Sequence, residues 1–175
     1  PTDIYFSTSS WLNPSDLPRL SDETSPHPIL LNHLIVFDID YSPLSLENLE
    51  QARITTLKLH NWIEENYDYE LISISFSGSK GFHLFYNDQD RTLFSIENPK
   101  ERENAVKEER KKLLHQVLLA GFKVDPRITA DTRRIIRLPG SIHGKTGLLC
   151  HRISLEVLEN NIESWINEVP SYYTD

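Results

Sequence analysis

HLIVFDID, residues 33–40, is a run of β-branched and aromatic residues too short for a typical helix, which makes it a buried strand. Side chains alternate along a strand, so Asp38 and Asp40 share one face about 6.5–7 Å apart while Ile39 turns back into the core. Two carboxylates that close an apolar strand repel each other and lose hydration, and a bound Mg²⁺ or Mn²⁺ relieves both costs. A strand end that merely reaches solvent would carry the same two acids.

Outward from this strand the pattern is mixed α and β with some antiparallel pairing, an α+β class. Upstream, residues 4–8 (IYFST) read as a short strand, and the proline-rich, polar residues 12–30 as a surface loop. Downstream, Ser45 can cap a helix that places Leu46, Leu49, Ala52, Leu59 and Ile63 near one face. Residues 71–76 (LISISF) and 82–86 (FHLFY) flank the turn SGSKG at 77–81 and form a hairpin. A polar loop leads to a charged helix over 101–119, buried through Val106, Leu113, Leu114, Val117 and Leu118 and stopped near Gly121. Residues 134–138 (RIIRL) and 152–157 (RISLEV) are further strands, and a short helix over 162–166 closes the chain. With 175 residues, the chain is expected to form one domain over 1–175.

Composition narrows the function. No window holds the roughly 18 apolar residues of a membrane span, and the first twenty residues lack a secretory pattern, so a cytoplasmic protein (nuclear in a eukaryote) with no membrane partner is expected. The single cysteine, Cys150, excludes an intramolecular disulfide and a Cys-rich zinc site. A net charge of −8 argues against indiscriminate coating of nucleic acid. Yet Arg127, Arg133, Arg134, Arg137, Lys145 and Arg152 face only Asp125 and Asp131 within one segment, which suits a phosphate-bearing substrate or a solvated charged face.

Two further stretches can carry chemistry. In SGSKGFH, residues 77–83, the glycines on each side of Ser79 and Lys80 expose backbone N–H groups to a phosphate, the serine donates a hydroxyl, Lys80 supplies counter-charge and His83 follows on the next strand. The spacing is not that of a P-loop, and a plain glycine turn with an exposed lysine is the alternative. In residues 125–148, DPRITADTRRIIRLPGSIHGKTGL, an acid, several arginines and an apolar strand lead to His143 and Lys145 around Gly144. A strand ending in DxDxS also resembles the nucleophile motif of haloacid dehalogenase phosphatases, but that family needs a further acidic pair, and no clear one follows.

The order FDID, SGSKGFH and D…RLPGSIHGKTGL resembles the catalytic subunit of archaeal and eukaryotic DNA primases and their wider superfamily, over roughly residues 33–150. Asp125 stands 18 residues before His143, the separation of that family's third motif. The resemblance implies a two-part core, an α/β portion joined to a sheet like that of an RNA-recognition fold, with the active site between them. It implies that Asp38, Asp40 and Asp125 hold two Mg²⁺ or Mn²⁺ ions. Ser77, Lys80 and His83 would contact the incoming triphosphate, and His143 and Lys145 other phosphate and sugar groups, while Asp131 is a structural acid. The implied activity is template-directed synthesis of short primers from nucleoside triphosphates on single-stranded DNA, alongside a primase large subunit or another replication protein. The alternatives are a primer-extending, gap-filling polymerase and a non-catalytic nucleic-acid-binding module. Three departures stand out: Ser79 and Lys80 where replicative members often carry two basic residues, a single cysteine that cannot build the family's zinc knuckle, so no zinc is expected, and an N-terminal portion that is shortened or removed.

Overall fold

The computed structural model of the protein describes residues 1–19, 21–22 and 24–171; Leu20 and Glu23 of the expected loop lie outside the described residues. Its central sheet contains β4 (Ile35–Asp40), β5 (Tyr69–Phe76), β6 (Gly81–Asp88) and β8 (His151–Ile153), ordered β4-β6-β5-β8 and antiparallel throughout. The register sets Asp38 opposite His83 and Asp40 opposite Gly81, and on the far side of β6 it sets Ser75 opposite His83. Alternation then separates the two faces. Phe37, Ile39, Phe82 and Leu84 enter the main core, whereas Val36 and Phe85 lie with Ile136 in a second cluster on the other face.

Helix α1 (Leu46–Asn66) covers the first face. Ser45 is extended and accepts a hydrogen bond from Asn48 N at 3.1 Å, which starts the helix as its sequence suggests. Leu49, Ala52, Leu59 and Ile63 are buried, and Arg53 donates at 2.6 Å to Leu158 O, tying the C-terminal segment to the helix. The other face is covered by a ribbon of β1 (Tyr5–Ser7) paired antiparallel with β7 (Ile135–Arg137), whose Phe6 and Ile136 pack on Val36 and Phe85. A second ribbon pairs β2 (Ser9–Trp11) with β3 (Leu30–His33), so the loop expected over 12–30 ends in a strand whose Leu30 is fully buried.

Helix α2 (Pro99–Leu119) starts at Asn98, whose side chain accepts from the amides of Lys100 and Glu101. Its buried stripe runs Val106, Arg110, Leu113 and Val117. Leu118, expected inside, is 46% exposed because the last turn carries Val117 inward and leaves Leu118 and Leu119 on the outer side. The short α3 (Pro126–Ala130) seals the outer edge of β4: Asp125 N donates to Asp38 O at 2.9 Å and Thr129 Oγ1 to Val36 O at 2.7 Å.

Two C-terminal expectations are corrected. Residues 152–157 do not form one strand: β8 stops at Ile153, and Ser154 accepts from Val157 N at 3.2 Å to begin α4 (Leu155–Glu159). The alternation of RISLEV hid a helix cap. Residues 162–166 form no α-helix but parts of two 3₁₀ turns, Ile162–Ser164 and Ile166–Glu168, separated by Trp165. Among the described residues no helix is long and apolar enough to cross a membrane.

Glu103, 2% exposed, pairs with Lys107 Nζ of the same helix at 2.8 Å and binds α2 to its surroundings through His27 Nε2 at 2.6 Å and the Thr132 hydroxyl. Burial opposes its ionisation, but the hydrogen bonds from Lys107 and Thr132 outweigh that and bring its pKa down to about 2. A depressed pKa stabilises the fold above the unfolded value, and that stabilisation disappears as pH falls from about 4.5 to about 2. We therefore expect Glu103→Gln to cost about 2 kcal/mol at pH 7 and progressively less below pH 4.5, measured by urea unfolding. An equal cost at pH 7 and pH 2.5 would contradict this account.

Candidate active site

A cleft of about 200 Å³ opens between the β4-β6 end of the sheet and the β1-β7 ribbon, walled by Tyr5, Asp38, Asp40, Ser77, Ser79, Lys80, His83, Ile128, Ile135, Ile136, Arg137 and His143. Six of the eight residues expected at the site therefore meet there: Asp38, Asp40, Ser77, Lys80, His83 and His143. Asp125 and Lys145 lie outside the cleft's lining.

The carboxylates occupy one wall. Asp38 Oδ1 is buried, has no hydrogen-bond partner, and lies 3.7 Å from His83 Nε2. Burial, with the nearby charge of Asp125, pushes the Asp38 carboxyl up to about 6. Asp40 is also raised, by burial first and then by Asp38. A buried carboxylate oxygen without a donor beside a second carboxylate is an oxygen donor set suited to a hard divalent cation. The pair fits Mg²⁺ or Mn²⁺ on that ground.

Asp125 is brought to the site by its backbone, since its amide binds Asp38 O, but its side chain is engaged elsewhere. Its carboxylate caps α3 by accepting from Arg127 N at 2.9 Å and takes the Arg127 guanidinium at 3.2 and 3.0 Å. Those bonds hold its carboxyl below the ordinary range. Among the described residues no three metal-capable side chains come together. Asp131 accepts from Arg133 N and pairs with Arg134, a structural role.

The turn wall is built by backbone geometry. Gly78 has φ +81°, and Ser77 Oγ accepts from the amides of Ser79 and Gly81, closing the turn between β5 and β6. Lys80 Nζ reaches Ser42 Oγ at 3.1 Å. His83 is buried and its pKa falls to about 4, chiefly through burial, and the pKa of His143 is lowered mainly by burial as well. Both imidazoles are therefore neutral at pH 7. Lys145 N donates to His143 Nδ1 at 3.3 Å, which leaves Nε2 to carry the His143 proton.

Arg137 and Tyr5 were not expected in the wall. Arg137 belongs to the basic segment and stands two residues after Ile135 on a strand, yet nothing in its spacing marks it. Its position depends on β1, more than 130 residues away in sequence: Nη2 donates to the Tyr5 hydroxyl at 2.8 Å. The Arg137 guanidinium also lies 4.9 Å from the Tyr5 ring centroid.

Comparison with known proteins places these features. A family profile described as "DNA primase small subunit" matches residues 37–155. The DNA primase small subunit of Pyrobaculum arsenaticum is 26% identical over 98% of this chain and 66% of its own length. That of Archaeoglobus fulgidus is 25% identical over 85% of this chain and 60% of its own length. The chain spans about three fifths of the length of such relatives. Among solved structures, the polymerase domain of Mycobacterium tuberculosis ligase D in complex with DNA has the same fold at a TM-score of 0.53 and 13% identity, over 90% of this chain and 53% of that one.

Proposed function

The chain belongs to the DNA primase small subunit family, and from that premise we propose that residues 1–175 act as one catalytic domain that joins nucleotides on a single-stranded DNA template. The observation that carries the reading is the unpartnered buried Asp38 oxygen beside Asp40 in a cleft that Lys80 and Arg137 also line.

Asp38 and Asp40 would hold Mg²⁺ or Mn²⁺, with Asp125 as the third ligand once its carboxylate exchanges Arg127 for metal. That exchange is inexpensive, because the Arg127 side chain is 71% exposed and such ion pairs contribute about 0–1 kcal/mol. When bound, the ions neutralise triphosphate charge and lower the pKa of an attacking 3′-hydroxyl. Lys80 and Arg137 balance the phosphate oxygens, Lys145 adds charge from outside the cleft, and the hydroxyls of Ser77 and Ser79 donate hydrogen bonds. His83, kept neutral by the burial that lowers its pKa to about 4, and His143 would each offer an N–H to the substrate. Substrates of this chemistry are nucleoside triphosphates, and a primase large subunit or another replication protein is the expected partner for starting chains.

The test is to incubate the chain with single-stranded DNA, Mg²⁺ or Mn²⁺ and labelled nucleoside triphosphates, with and without an annealed primer, and to size the products. We expect incorporation. New chains without primer make it a primase, and products only with primer make it an extending polymerase or a core that needs a partner to start. Binding of metal and nucleotide with no product under either condition would refute the catalytic reading.

A further inference from the structure

We propose that Asp3 is a positioning residue for the nucleotide, its carboxylate aligning Arg137 and the His143–Lys145 turn toward the cleft. This rests on the reading that the cleft takes a nucleoside triphosphate. One oxygen, Asp3 Oδ1, accepts from Arg137 Nη1 at 2.6 Å and from Gly144 N at 3.1 Å. It thereby joins β7 to the glycine turn that carries His143, the elements that bring Arg137 and His143 to the cleft.

The backbone is arranged around the same contact. Asp3 N donates to Ile142 O at 2.8 Å, and Ile142 N donates to Pro1 O at 3.1 Å, so the first residues run beside the turn. Asp3 holds φ +52°, a left-handed conformation that costs energy in a residue other than glycine and recurs where local geometry serves a site. At Gly144 the fit is close, since a Cβ there would overlap the Asp3 carboxylate.

An arginine side chain has many rotamers, and an unrestrained guanidinium at a cleft mouth samples solvent. In this site Arg137 is fixed at one edge by Asp3 and at another by the Tyr5 hydroxyl. The restraint removes the entropy cost of ordering Arg137 when phosphate arrives. The bond from Arg137 also keeps the Asp3 carboxyl below its ordinary range, so it stays ionised at working pH.

The experiment measures the affinity of the whole chain for a fluorescent ATP analogue in Mg²⁺, and KM and kcat for incorporation, in wild type, Asp3→Ala and Asp3→Asn. Asp3→Ala is expected to weaken binding and raise KM about tenfold with kcat changed less than about threefold, as for a lost charge-assisted contact. Asp3→Asn, which keeps an acceptor oxygen, should recover most of that loss. In an Arg137→Ala background Asp3→Ala should cost clearly less than it does alone, the remainder being the share carried through the Gly144 turn, whereas a structural role independent of Arg137 would cost the same in both backgrounds. Unchanged or tighter nucleotide binding in folded Asp3→Ala, or a fall in kcat alone, overturns the proposal. If the wild type itself fails to bind the analogue, the cleft reading falls with it, an outcome separable from a wild type that binds and a variant that binds equally well.

Discussion

Asp38→Asn is expected to abolish nucleotide incorporation, by at least ~10³-fold or about 4 kcal/mol of transition-state stabilisation, while making the metal-free protein more stable. The opposite signs come from one cause. Asp38 is a buried carboxylate whose Oδ1 has no donor, and its pKa is raised to about 6 from 3.8. A raised acid pKa means that the folded state holds its proton more tightly than the unfolded state does. The carboxylate therefore costs no stability below about pH 3.8, an increasing amount up to about 6, and its full cost above that. Asparagine has the same shape without the charge, so at pH 7.5 in EDTA the variant should unfold later, by about 2 kcal/mol. Adding Mn²⁺ should raise the unfolding temperature of the wild type and leave that of the variant nearly unchanged, because only the wild type has the full ligand pair. Product sizing and thermal unfolding in the same buffers check both halves. Incorporation at the wild-type level, or a variant less stable than wild type in EDTA, would remove Asp38 from its assigned role.

Gly81→Ala should be the most damaging small substitution in the chain. Gly81 faces Asp40 across the β4-β6 pair, and a Cβ there would overlap the backbone oxygen of Ile39 and stand 2.6 Å from Asp40 Oδ1. Neither neighbour can yield cheaply, since one is main chain inside the sheet and the other is a proposed metal ligand. Glycine within a strand marks such close backbone approach. Relief requires the two strands to part, which moves Asp40 and the turn that carries Lys80. We expect a loss of about 3 kcal/mol of stability, as for severe overpacking, together with at least ~100-fold less incorporation even where the variant remains folded. Urea unfolding followed by assays at a temperature where the variant is native separates the two effects. A variant with wild-type midpoint and rate would show that the sheet absorbs a methyl group here.

What could be seen in the sequence was local. The strand pattern of residues 33–40, the Ser45 cap and the glycine turn at 77–81 each depend on neighbouring residues; the cap and the turn formed as expected, and the strand formed over Ile35–Asp40, with His33 ending β3 instead. The ribbons β1-β7 and β2-β3 were less legible, because their partners lie far apart in sequence and the strands are only three or four residues long. For the same reason Arg137 went unmarked: its place in the wall is set by Asp3 and Tyr5. Asp125 shows a different limit. Its spacing to His143 singles it out, yet a lone aspartate before Pro126 is also a helix cap, and the side chain adopts that second role here. Ser154 repeats the lesson, since alternation suggested a strand where a capping serine begins a helix.

The sealing of β4 by α3 has a bearing on how the molecule matures. An unpaired strand edge invites pairing with another chain, which is the usual origin of sheet-mediated aggregation. The edge that α3 covers belongs to the strand bearing Asp38 and Asp40, and the covering atoms, Asp125 N and Thr129 Oγ1, arrive some ninety residues later. During synthesis the acidic strand therefore emerges with that side bare until α3 docks on it, and the same docking brings Asp125, proposed above as a third ligand, beside Asp38. Cover for that edge and the placement of Asp125 beside Asp38 therefore come from the same docking of α3.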